Sequence, residues 1–475
     1  MSSENLFKRL SGIVATIVTV ALSASSALGQ AFVPGEILVR ARPGAMVEAH
    51  MHLSTRGLVV AQVDPWSGVK RVLVPIGAER GMADVLSRLG AIEYAELNGI
   101  GSGGLAPDDT FYAIQWHLKN TGQSGGLAGA DVDAEAAWEI TTGSASIGIA
   151  VLDSGIRAAH PEFAGRLASN GWDFVNNDDD PEDDHGHGTW VTGVIAANAN
   201  NTFAVAGLDW SCTIVPIKVL NQSNAGTTFN LAQGLNYAAA QANVHIINLS
   251  LINYPGNATM TNALQGARNA GKILIACAGN NGIGNADVSF PGASPLTISI
   301  GATTRSDARW ASSGTGQALD FVAPGASIAT VSAAQPITNT RSVVSGCSFA
   351  TPIASAIASL VLARSQELSQ AMPDQAALYL LFLAGADDQV GQPAEDTPGW
   401  DEFHGWGRLN ARRILRAIEP CIADFNGDSN VDFFDVQEFL SAFALQDPRA
   451  DLNGDGALNF FDVQIFLGAF AVGCP

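Results

Sequence analysis

The sequence is poor in charged residues, and most of the charges that it carries are negative. Only 15% of its 475 residues are charged, and 24 basic residues stand against 45 acidic ones, which gives a net charge of −21. Binding to a phosphate backbone needs clustered lysine and arginine, so this balance argues against a nucleic-acid partner. Hydrophobic residues still make up 47% of the chain, which favours a large folded core over disorder.

Long hydrophobic runs are also missing, except near the N-terminus. There, Lys8 and Arg9 precede the apolar run GIVATIVTVAL, and small residues up to Gly29 follow it. The run is too short for a comfortable membrane span, so it predicts a secretory signal over residues 1–29, with an uncleaved anchor as the alternative. We therefore expect an exported protein with no transmembrane span in its mature chain.

Cysteine is scarce as well, with five residues in the whole chain. In an oxidising compartment an odd number leaves at least one of them unpaired or bonded to another molecule. Cys421 and Cys474 bracket the last segment and are the pair that we expect. Cys212, Cys277 and Cys347 lie in apolar or glycine-rich surroundings, where cysteine often acts as a small buried apolar residue.

Composition divides the chain into four segments after the signal. Residues 30–98 contain strand-like runs and one helix-like stretch, which predicts a small α+β unit, and residues 99–107 form a glycine-rich linker. In residues 108–419, short apolar runs alternate with alanine-rich stretches, which predicts an α/β domain with a parallel sheet covered on both faces. Residues 420–475 hold two similar loop–helix units, 27 residues apart, and are predicted to form a separate C-terminal module.

Three stretches of the central segment carry candidate catalytic residues. Asp153 ends the apolar run in IAVLDSGI, His187 lies in HGHGTW, and Ser348 lies in SGCSFATP, just before a run of small and apolar residues. Each alone has an ordinary structural explanation, such as a turn or a helix cap. Catalytic groups of parallel-sheet folds usually lie at the carboxyl ends of strands, which fits Asp153.

Taken together with their neighbours, these stretches resemble the subtilisin-like serine proteases, in which the triad runs in the order Asp, His, Ser. The resemblance covers the whole central domain and extends through AGN at Asn280, FVAPGASI and HGWGRLNARRIL. It implies a subtilisin-like fold, with His187 as the general base and Asp153 orienting its ring. Asn280 and the backbone N–H of Ser348 would stabilise the oxyanion. Pro352 is expected in the first turn of the helix after Ser348, where its missing N–H costs little.

The chain departs from the family pattern at two positions near the triad. Cys347 stands where a threonine is usual, and we expect a structural role for it. A thiol this close to Ser348 could also make the enzyme sensitive to oxidation or to mercurials. Trp190 replaces a second histidine and is expected to pack or to shape a subsite. The acidic run at residues 178–184 is interpreted as a solvated loop, with calcium binding as the alternative.

The resemblance also implies how substrate binds. An extended peptide would lie between two enzyme segments, as an added strand. The matching residues are Asn224, Ala225, Gly226, Ser250, Leu251 and Ile252. Ile252 stands where a glycine is usual, so it could narrow the main specificity pocket, unless the alignment is shifted. Residues 30–98 resemble a subtilisin-type propeptide that assists folding, occupies the cleft and is removed, with a permanent accessory domain as the alternative.

The two C-terminal repeats place oxygen ligands at positions 1, 3, 5, 9 and 12 of a calcium loop. The candidate ligands are Asp424, Asn426, Asp428, Asp432 and Asp435 in the first loop, and Asp451, Asn453, Asp455, Asn459 and Asp462 in the second. Aspartate at position 12 departs from the EF-hand and resembles the dockerin family. That resemblance implies calcium as cofactor and a cohesin-like or cell-surface partner. A calcium-stiffened tail without a partner is the alternative.

The sequence therefore predicts a secreted serine endopeptidase whose substrate is a protein or peptide. A catalytically silent peptide-binding protein on the same fold is the alternative from another class, and the intact triad disfavours it. A ligase-like transpeptidase would use the same acyl-enzyme chemistry. Because no sequence feature excludes water from the site, hydrolysis is the default expectation.

Overall fold

The chain divides between Gly103 and Gly104 into two compact units. The computed structural model describes residues 32–42, 44–64, 67–75, 78–99, 105–282, 288–418, 421–426, 430–450, 452 and 458–472. The predicted signal segment, residues 1–29, lies outside the described residues. The division falls within residues 99–107, the stretch predicted to be a linker.

The first unit is a four-stranded antiparallel sheet with two helices. Its elements are β1 (Phe32–Ala41), α1 (Met46–Ser54), β2 (Val59–Val63), β3 (Lys70–Leu73), α2 (Glu79–Ser87) and β4 (Ile92–Gly99). The strands lie in the order β2-β3-β1-β4. Ile37 and Val39 point to one face of β1, as the two-residue period of a strand requires, and pack with Leu53 of α1 and Leu86 of α2. This is the α+β arrangement that the sequence predicts for residues 30–98.

The second unit is built around a seven-stranded parallel sheet. The elements of its first part are α3 (Ala134–Trp138), β5 (Gly148–Asp153), β6 (Trp172–Asp173), α4 (His187–Ala196), β7 (Thr213–Lys218), α5 (Thr228–Ala240), β8 (Ile246–Leu249), α6 (Ala258–Asn269) and β9 (Ile273–Cys277). They are followed by β10 (Ile298–Thr303), β11 (Phe321–Pro324), β12 (Ile328–Val331), β13 (Arg341–Val344), α7 (Cys347–Glu367), α8 (Gln375–Gly385), α9 (Ala411–Arg416), α10 (Phe433–Ala444) and α11 (Phe460–Val472). The sheet order is β11-β10-β9-β8-β5-β7-β6, and all of its pairings are parallel. The predicted α/β class with a parallel sheet is confirmed.

Both faces of this sheet are buried, which is why its strands are continuous apolar runs. All six residues of β5 are buried. Ile149 and Val151 belong to the core that α4 and α7 complete, whereas Ala150 and Leu152 belong to the core formed with α5 and α6. A strand between two helical layers has no face for water, so it is built mainly of apolar residues, and the one charged residue of β5 is its last. The end of β5 is Asp153.

Helix α7 runs through one of these cores. By length and composition it could cross a membrane, and it is the one such helix among the described residues; 94% of its most apolar window is buried inside the fold. Its small residues, from Ala350 to Ala363, allow close packing against the sheet. The expected place of Pro352 was wrong: α7 begins at Cys347, so Pro352 is its sixth residue and lies beyond the first turn.

The two C-terminal repeats place equivalent residues opposite each other. Phe439 of α10 and Phe466 of α11 are one repeat length apart in sequence, and their rings stack at 4.2 Å with an interplanar angle of 5°. Phe425 meets both rings edge-on. With Ala442 and Ala450 these rings form a small core of their own.

Candidate active site

Asp153 and His187 meet where β5 ends and α4 begins. His187 Nδ1 lies 2.8 Å from Asp153 Oδ1, and the exposed fractions of the two residues are 8% and 0%. Gly188 permits this approach, because a Cβ there would stand 2.2 Å from the Gly155 carbonyl oxygen. Asp153 Oδ1 also accepts the N–H of Ser154 at 2.7 Å. The carboxylate is thus held in place to fix the ring orientation of His187 and its proton on Nδ1.

The charges around His187 favour its protonated form. Burial by itself lowers the pKa of His187, but the charge and hydrogen bond of Asp153 and the charge of Asp183 outweigh it. The pKa of His187 is therefore raised above its usual 6.5. An imidazole in this setting can accept a proton during a reaction and hold it as an ion pair with Asp153.

Asp183 is a positioning residue that the sequence analysis missed. The acidic run was interpreted as a solvated loop; Asp178, Asp179 and Asp180 are exposed, but Asp183 is buried. Its Oδ1 accepts the backbone N–H groups of His185 and Gly186 and the hydroxyl of Ser154, and its Oδ2 accepts from Thr189. These bonds tie the start of α4 to the end of β5. Its place four residues before His187 was the available signal.

Ser348 is the second residue of α7, and its carbonyl oxygen accepts a hydrogen bond from outside the helix in place of the missing helical one. Pro352 has no N–H to offer the Ser348 carbonyl one turn earlier. The hydroxyl of Ser250 donates to that carbonyl instead, at 2.9 Å. The side chain of Ser250 also accepts from Asn248, whose Oδ1 accepts from Ser355 of α7. Pro352 is thus compatible with α7 because Ser250 satisfies the carbonyl that it leaves free.

The hydroxyl of Ser348 donates to the Ser250 carbonyl oxygen at 3.3 Å. Among the described residues it makes no hydrogen bond with His187, although both side chains line the same cleft. Hydrogen bonds between a nucleophile and its base are often long before substrate binds. The backbone N–H of Ser348 lies in the first turn of α7, where it has no helical partner and donates to no described residue.

Asn280 lies beside the start of α7. Its Oδ1 accepts the backbone N–H of Cys347 at 2.9 Å. This bond assigns the orientation of the amide and leaves Nδ2 as the donor for the cleft. The structure therefore brings two donors together, Nδ2 of Asn280 and the N–H of Ser348, beside the hydroxyl of Ser348.

Cys347 points away from the cleft and into the core. Its thiol donates to the Gly279 carbonyl oxygen at 2.8 Å and lies 3.5 Å from the Ser313 hydroxyl. It also contacts Cys277, whose pKa is raised by burial and by the hydrogen bond between the two thiols. Both cysteines are free and fully buried. This geometry supports the structural role expected for Cys347.

The cleft around Ser348 is lined by every residue that the sequence analysis proposed for substrate binding. Its volume is about 710 Å³. The predicted residues on its wall are Asn224, Ala225, Gly226, Ser250, Leu251 and Ile252, together with His187, Asn280 and Ser348. Within the described part of the chain, the backbone N–H groups of Gly226, Leu251 and Ile252 donate no hydrogen bond. Two segments with unpaired backbone groups thus face one cavity.

Three aromatic side chains complete this wall, and two of them, Phe349 and Tyr254, were not assigned to the site by the sequence analysis. Phe349 lies 5.6 Å from the ring of His187, and Trp190 meets His185 edge-on at 6.2 Å. Tyr254 stands beside Gly226, where a Cβ would fall 2.5 Å from its hydroxyl. Trp190, expected to pack or to shape a subsite, therefore borders the cleft.

The proposed calcium loops are described only in part. Asp428, Asp451, Asn453 and Asp455 lie outside the described residues. In the described parts, the position-12 carboxylates share one equivalent contact: Asp435 accepts the N–H of Asp432, and Asp462 accepts that of Asn459. Asp435 also accepts the N–H of Asn426, and Asp462 that of Leu452. Asp424 is the remaining described candidate. Oxygen-only donor sets of this kind fit a hard cation such as Ca²⁺.

The expected cysteine pair of this module is also described only in part. Cys421 is disulfide-bonded, while Cys474, the partner expected from the sequence, lies outside the described residues.

Comparison with known proteins shows which family this chain belongs to. Residues 144–407 match the model of the subtilase family. The chain is 35% identical to thermitase of Thermoactinomyces vulgaris over 46% of this chain and 76% of that protein. It is 31% identical to the thermophilic serine proteinase of Bacillus sp. (strain AK1) over 80% of this chain and 87% of that protein.

A third relative is much longer than the region that matches this chain. The cell wall-associated protease of Bacillus subtilis (strain 168) is 33% identical over 72% of this chain, but the match spans only 39% of that protein. The family match covers more than half of the chain. It contains β5, α4 and α7 and every residue that lines the cleft. The chain belongs to the subtilase family of subtilisin-like serine endopeptidases.

Proposed function

We propose that this protein is a secreted endopeptidase that hydrolyses peptide bonds with Asp153, His187 and Ser348 as its triad. The observation that carries the proposal is the 2.8 Å contact between His187 and the buried Asp153, beside a cleft that also contains Ser348 and Asn280. A structural histidine needs no such cleft, and a peptide-binding protein needs no buried carboxylate behind its histidine.

In the reaction, His187 takes the proton of the Ser348 hydroxyl as the hydroxyl attacks the scissile carbonyl. The hydroxyl must first break its hydrogen bond to the Ser250 carbonyl oxygen, which is long at 3.3 Å and therefore weak. Nδ2 of Asn280 and the N–H of Ser348 receive the developing oxyanion, and each such donor lowers the barrier by about 3–4 kcal/mol. His187 then gives its proton to the leaving amine, and water releases the acyl group from Ser348.

The substrate is an extended segment of a protein or peptide. The N–H groups of Gly226, Leu251 and Ile252, which have no hydrogen-bond partner among the described residues, support this choice, because they can bond to the backbone of a peptide added as a strand. Backbone bonds of this kind hold many sequences alike. Preference then depends on the side chains that border the cleft, including Ile252 and Trp190.

The first unit acts as a propeptide that assists folding and is removed by cleavage in the segment 99–107. Its compact α+β core, separate from the catalytic unit in the division of the chain, supports this role. The C-terminal module binds calcium through its repeated loops and attaches the enzyme to a cohesin-like or cell-surface partner. The matched roles of Asp435 and Asp462 in the two repeats support two equivalent loops.

The intact mass of the secreted protein tests this proposal. The chain is expressed with its N-terminal segment, as wild type and as Ser348→Ala. We expect the wild type to lose the residues up to the segment 99–107 and the variant to keep them, since self-cleavage needs the nucleophile.

The other outcomes are also informative. Equal trimming of both proteins would assign maturation to another protease and move the test to peptide substrates. If neither is trimmed and neither cleaves an unfolded protein substrate, the proposed activity is wrong.

A further inference from the structure

A second cluster of metal-binding side chains lies in the segment between α8 and α9. Asp396, Asp401 and His404 each offer one ligand atom, and these atoms all lie within 4.8 Å of one another. The exposed fractions of the three residues are 4%, 8% and 0%. None of them lines the cleft around Ser348, so the catalytic reaction leaves them unexplained.

His404 presents a free lone pair to this cluster. Its Nδ1 lies 3.1 Å from the Glu395 carbonyl oxygen, and a carbonyl can only accept, so the ring proton is assigned to Nδ1. Nε2 is buried and has no hydrogen-bond partner among the described residues. Arg309 holds Glu395 through contacts of 3.0 and 3.2 Å. Histidine ligands of metals are oriented in this way, with one nitrogen bonded to a carbonyl and the other left for the ion.

The two carboxylates are fixed by backbone N–H groups and keep capacity for a ligand. Asp396 Oδ2 accepts from Gly391, while its Oδ1 is buried without a partner among the described residues. Asp401 Oδ1 accepts the N–H groups of Phe403 and His404, while Oδ2 accepts only that of Thr397 and keeps a lone pair for a ligand. Neither carboxylate forms a salt bridge with any residue that the structure describes. Buried carboxylates without a counter-charge are unfavourable.

His404 and Asp396 are not joined by a hydrogen bond, and the spacing of the three side chains suits a metal ion between them better than a shared proton. A hydrogen bond between His404 and Asp396 needs the two atoms about 2.7–3.2 Å apart, and the structure has no such bond. A zinc ion bonds nitrogen and carboxylate oxygen at about 2.0–2.2 Å, so neighbouring ligand atoms of a tetrahedral site stand about 3.3–3.6 Å apart. The three atoms here lie within 4.8 Å of one another, so inward movements of about 1 Å or less per atom close them around one ion.

We propose that Asp396, Asp401 and His404 form a structural zinc site, with a water molecule as the fourth ligand. The imidazole favours zinc over calcium, because calcium takes six to eight oxygen ligands whereas zinc is bound by nitrogen and oxygen in a four-coordinate site. The two carboxylates and the neutral imidazole balance a doubly charged ion. The ion would fix the segment that joins α8 to α9, independently of the proposed proteolysis.

Zinc binding to the full-length chain tests this site. The background is Ser348→Ala, which prevents self-digestion, and saturating calcium is present throughout, so that oxygen-only sites are filled. The protein is freed of zinc by dialysis, then titrated with Zn²⁺ by calorimetry, and its melting temperature is followed. His404→Gln removes the nitrogen ligand. Asp388→Asn, an exposed carboxylate of the same segment, and His185→Gln, the neighbour of His187 in the cleft, are the matched controls.

We expect one zinc ion per chain and a saturable rise in melting temperature. His404→Gln should weaken zinc binding by about tenfold or more, while both controls should bind as the background does. Absence of zinc uptake, equal uptake by His404→Gln, or loss of uptake in His185→Gln would overturn the proposal. If His404→Gln does not fold, Co²⁺ added to the background chain decides, since weak visible absorption typical of fully hydrated Co²⁺ would also overturn it.

Discussion

Asn280 offers a sharp test of the catalytic site, because its two side-chain atoms have separate tasks. Oδ1 accepts the N–H of Cys347 at 2.9 Å and so supports the start of α7. Nδ2 is left to donate to the oxyanion. Asn280→Ala removes both atoms, whereas Asn280→Asp keeps an acceptor for Cys347 and removes only the donor. The pair of variants therefore separates support of the helix from catalysis.

The expected magnitudes differ between the two measurements. Loss of one oxyanion donor raises the barrier by about 3–4 kcal/mol, which lowers kcat by about 10²–10³-fold. Asn280→Ala should show this loss and also a lower free energy of unfolding, by about 1 kcal/mol, because the Cys347 N–H loses its acceptor. Asn280→Asp should lose at least as much kcat, since a carboxylate repels the oxyanion. Its stability should stay close to that of the parent, because a negative charge is favourable at the N-terminus of α7.

Chromogenic peptide amides give kcat and KM separately, and titration with a serine-directed covalent inhibitor counts the active sites. Stability is measured in the Ser348→Ala background, which removes self-digestion. An increase in KM with unchanged kcat would mean that Asn280 binds the substrate and the transition state equally. That result, or an Asn280→Asp variant within tenfold of the parent kcat, would refute the assignment of Nδ2 to the oxyanion.

Three further predictions concern the same cleft. The pKa of His187 is raised above 6.5, so kcat/KM should fall as the pH drops through a value above 6.5. Asp183→Asn removes one source of this shift and should move the fall in kcat/KM to lower pH. A fall at the same pH in the variant would contradict the electrostatic role of Asp183. Ile252→Gly should open the cleft wall and raise kcat/KM for peptides with a large residue before the cleaved bond by about tenfold relative to small ones; an unchanged ratio would place Ile252 outside the specificity pocket. Cys347→Thr should keep kcat within a fewfold of the parent, whereas Ser348→Ala should lose about 10⁶-fold; a comparable loss in Cys347→Thr would make the thiol a participant.

Local sequence patterns were sufficient to predict the α/β class and to single out Asp153, His187 and Ser348 as candidates. Buried strands are continuous apolar runs, so β5 and the position of Asp153 at its end could be identified directly. His187 and Ser348 both lie at helix starts, where short stretches of sequence such as HGT and SGCS determine the local conformation. The two segments proposed to bind the peptide could be located only through the family resemblance, since neither is a regular helix or strand.

Contacts between distant parts of the chain could not be predicted in the same way. Asp183 accepts from Ser154, 29 residues earlier, and its place four residues before His187 is the one local feature that separates it from its solvated neighbours. The segment that carries Asp396 and His404 is anchored by a contact between Glu395 and Arg309, 86 residues earlier. The position of Pro352 was missed because the start of α7 could not be placed to within a few residues from sequence, and one turn decides whether its missing N–H matters.

Ser250 connects Ser348 to the wall of the cleft that is proposed to bind the peptide. Its hydroxyl satisfies the Ser348 carbonyl that Pro352 leaves free, and its own carbonyl holds the Ser348 hydroxyl before attack. The next two residues, Leu251 and Ile252, carry the backbone N–H groups that are proposed to bind the substrate. A peptide that pairs with Leu251 and Ile252 therefore binds directly beside the two contacts between Ser250 and Ser348. Changes at Ser250 should for this reason alter kcat as well as KM, whereas a wall built only for binding would alter KM alone.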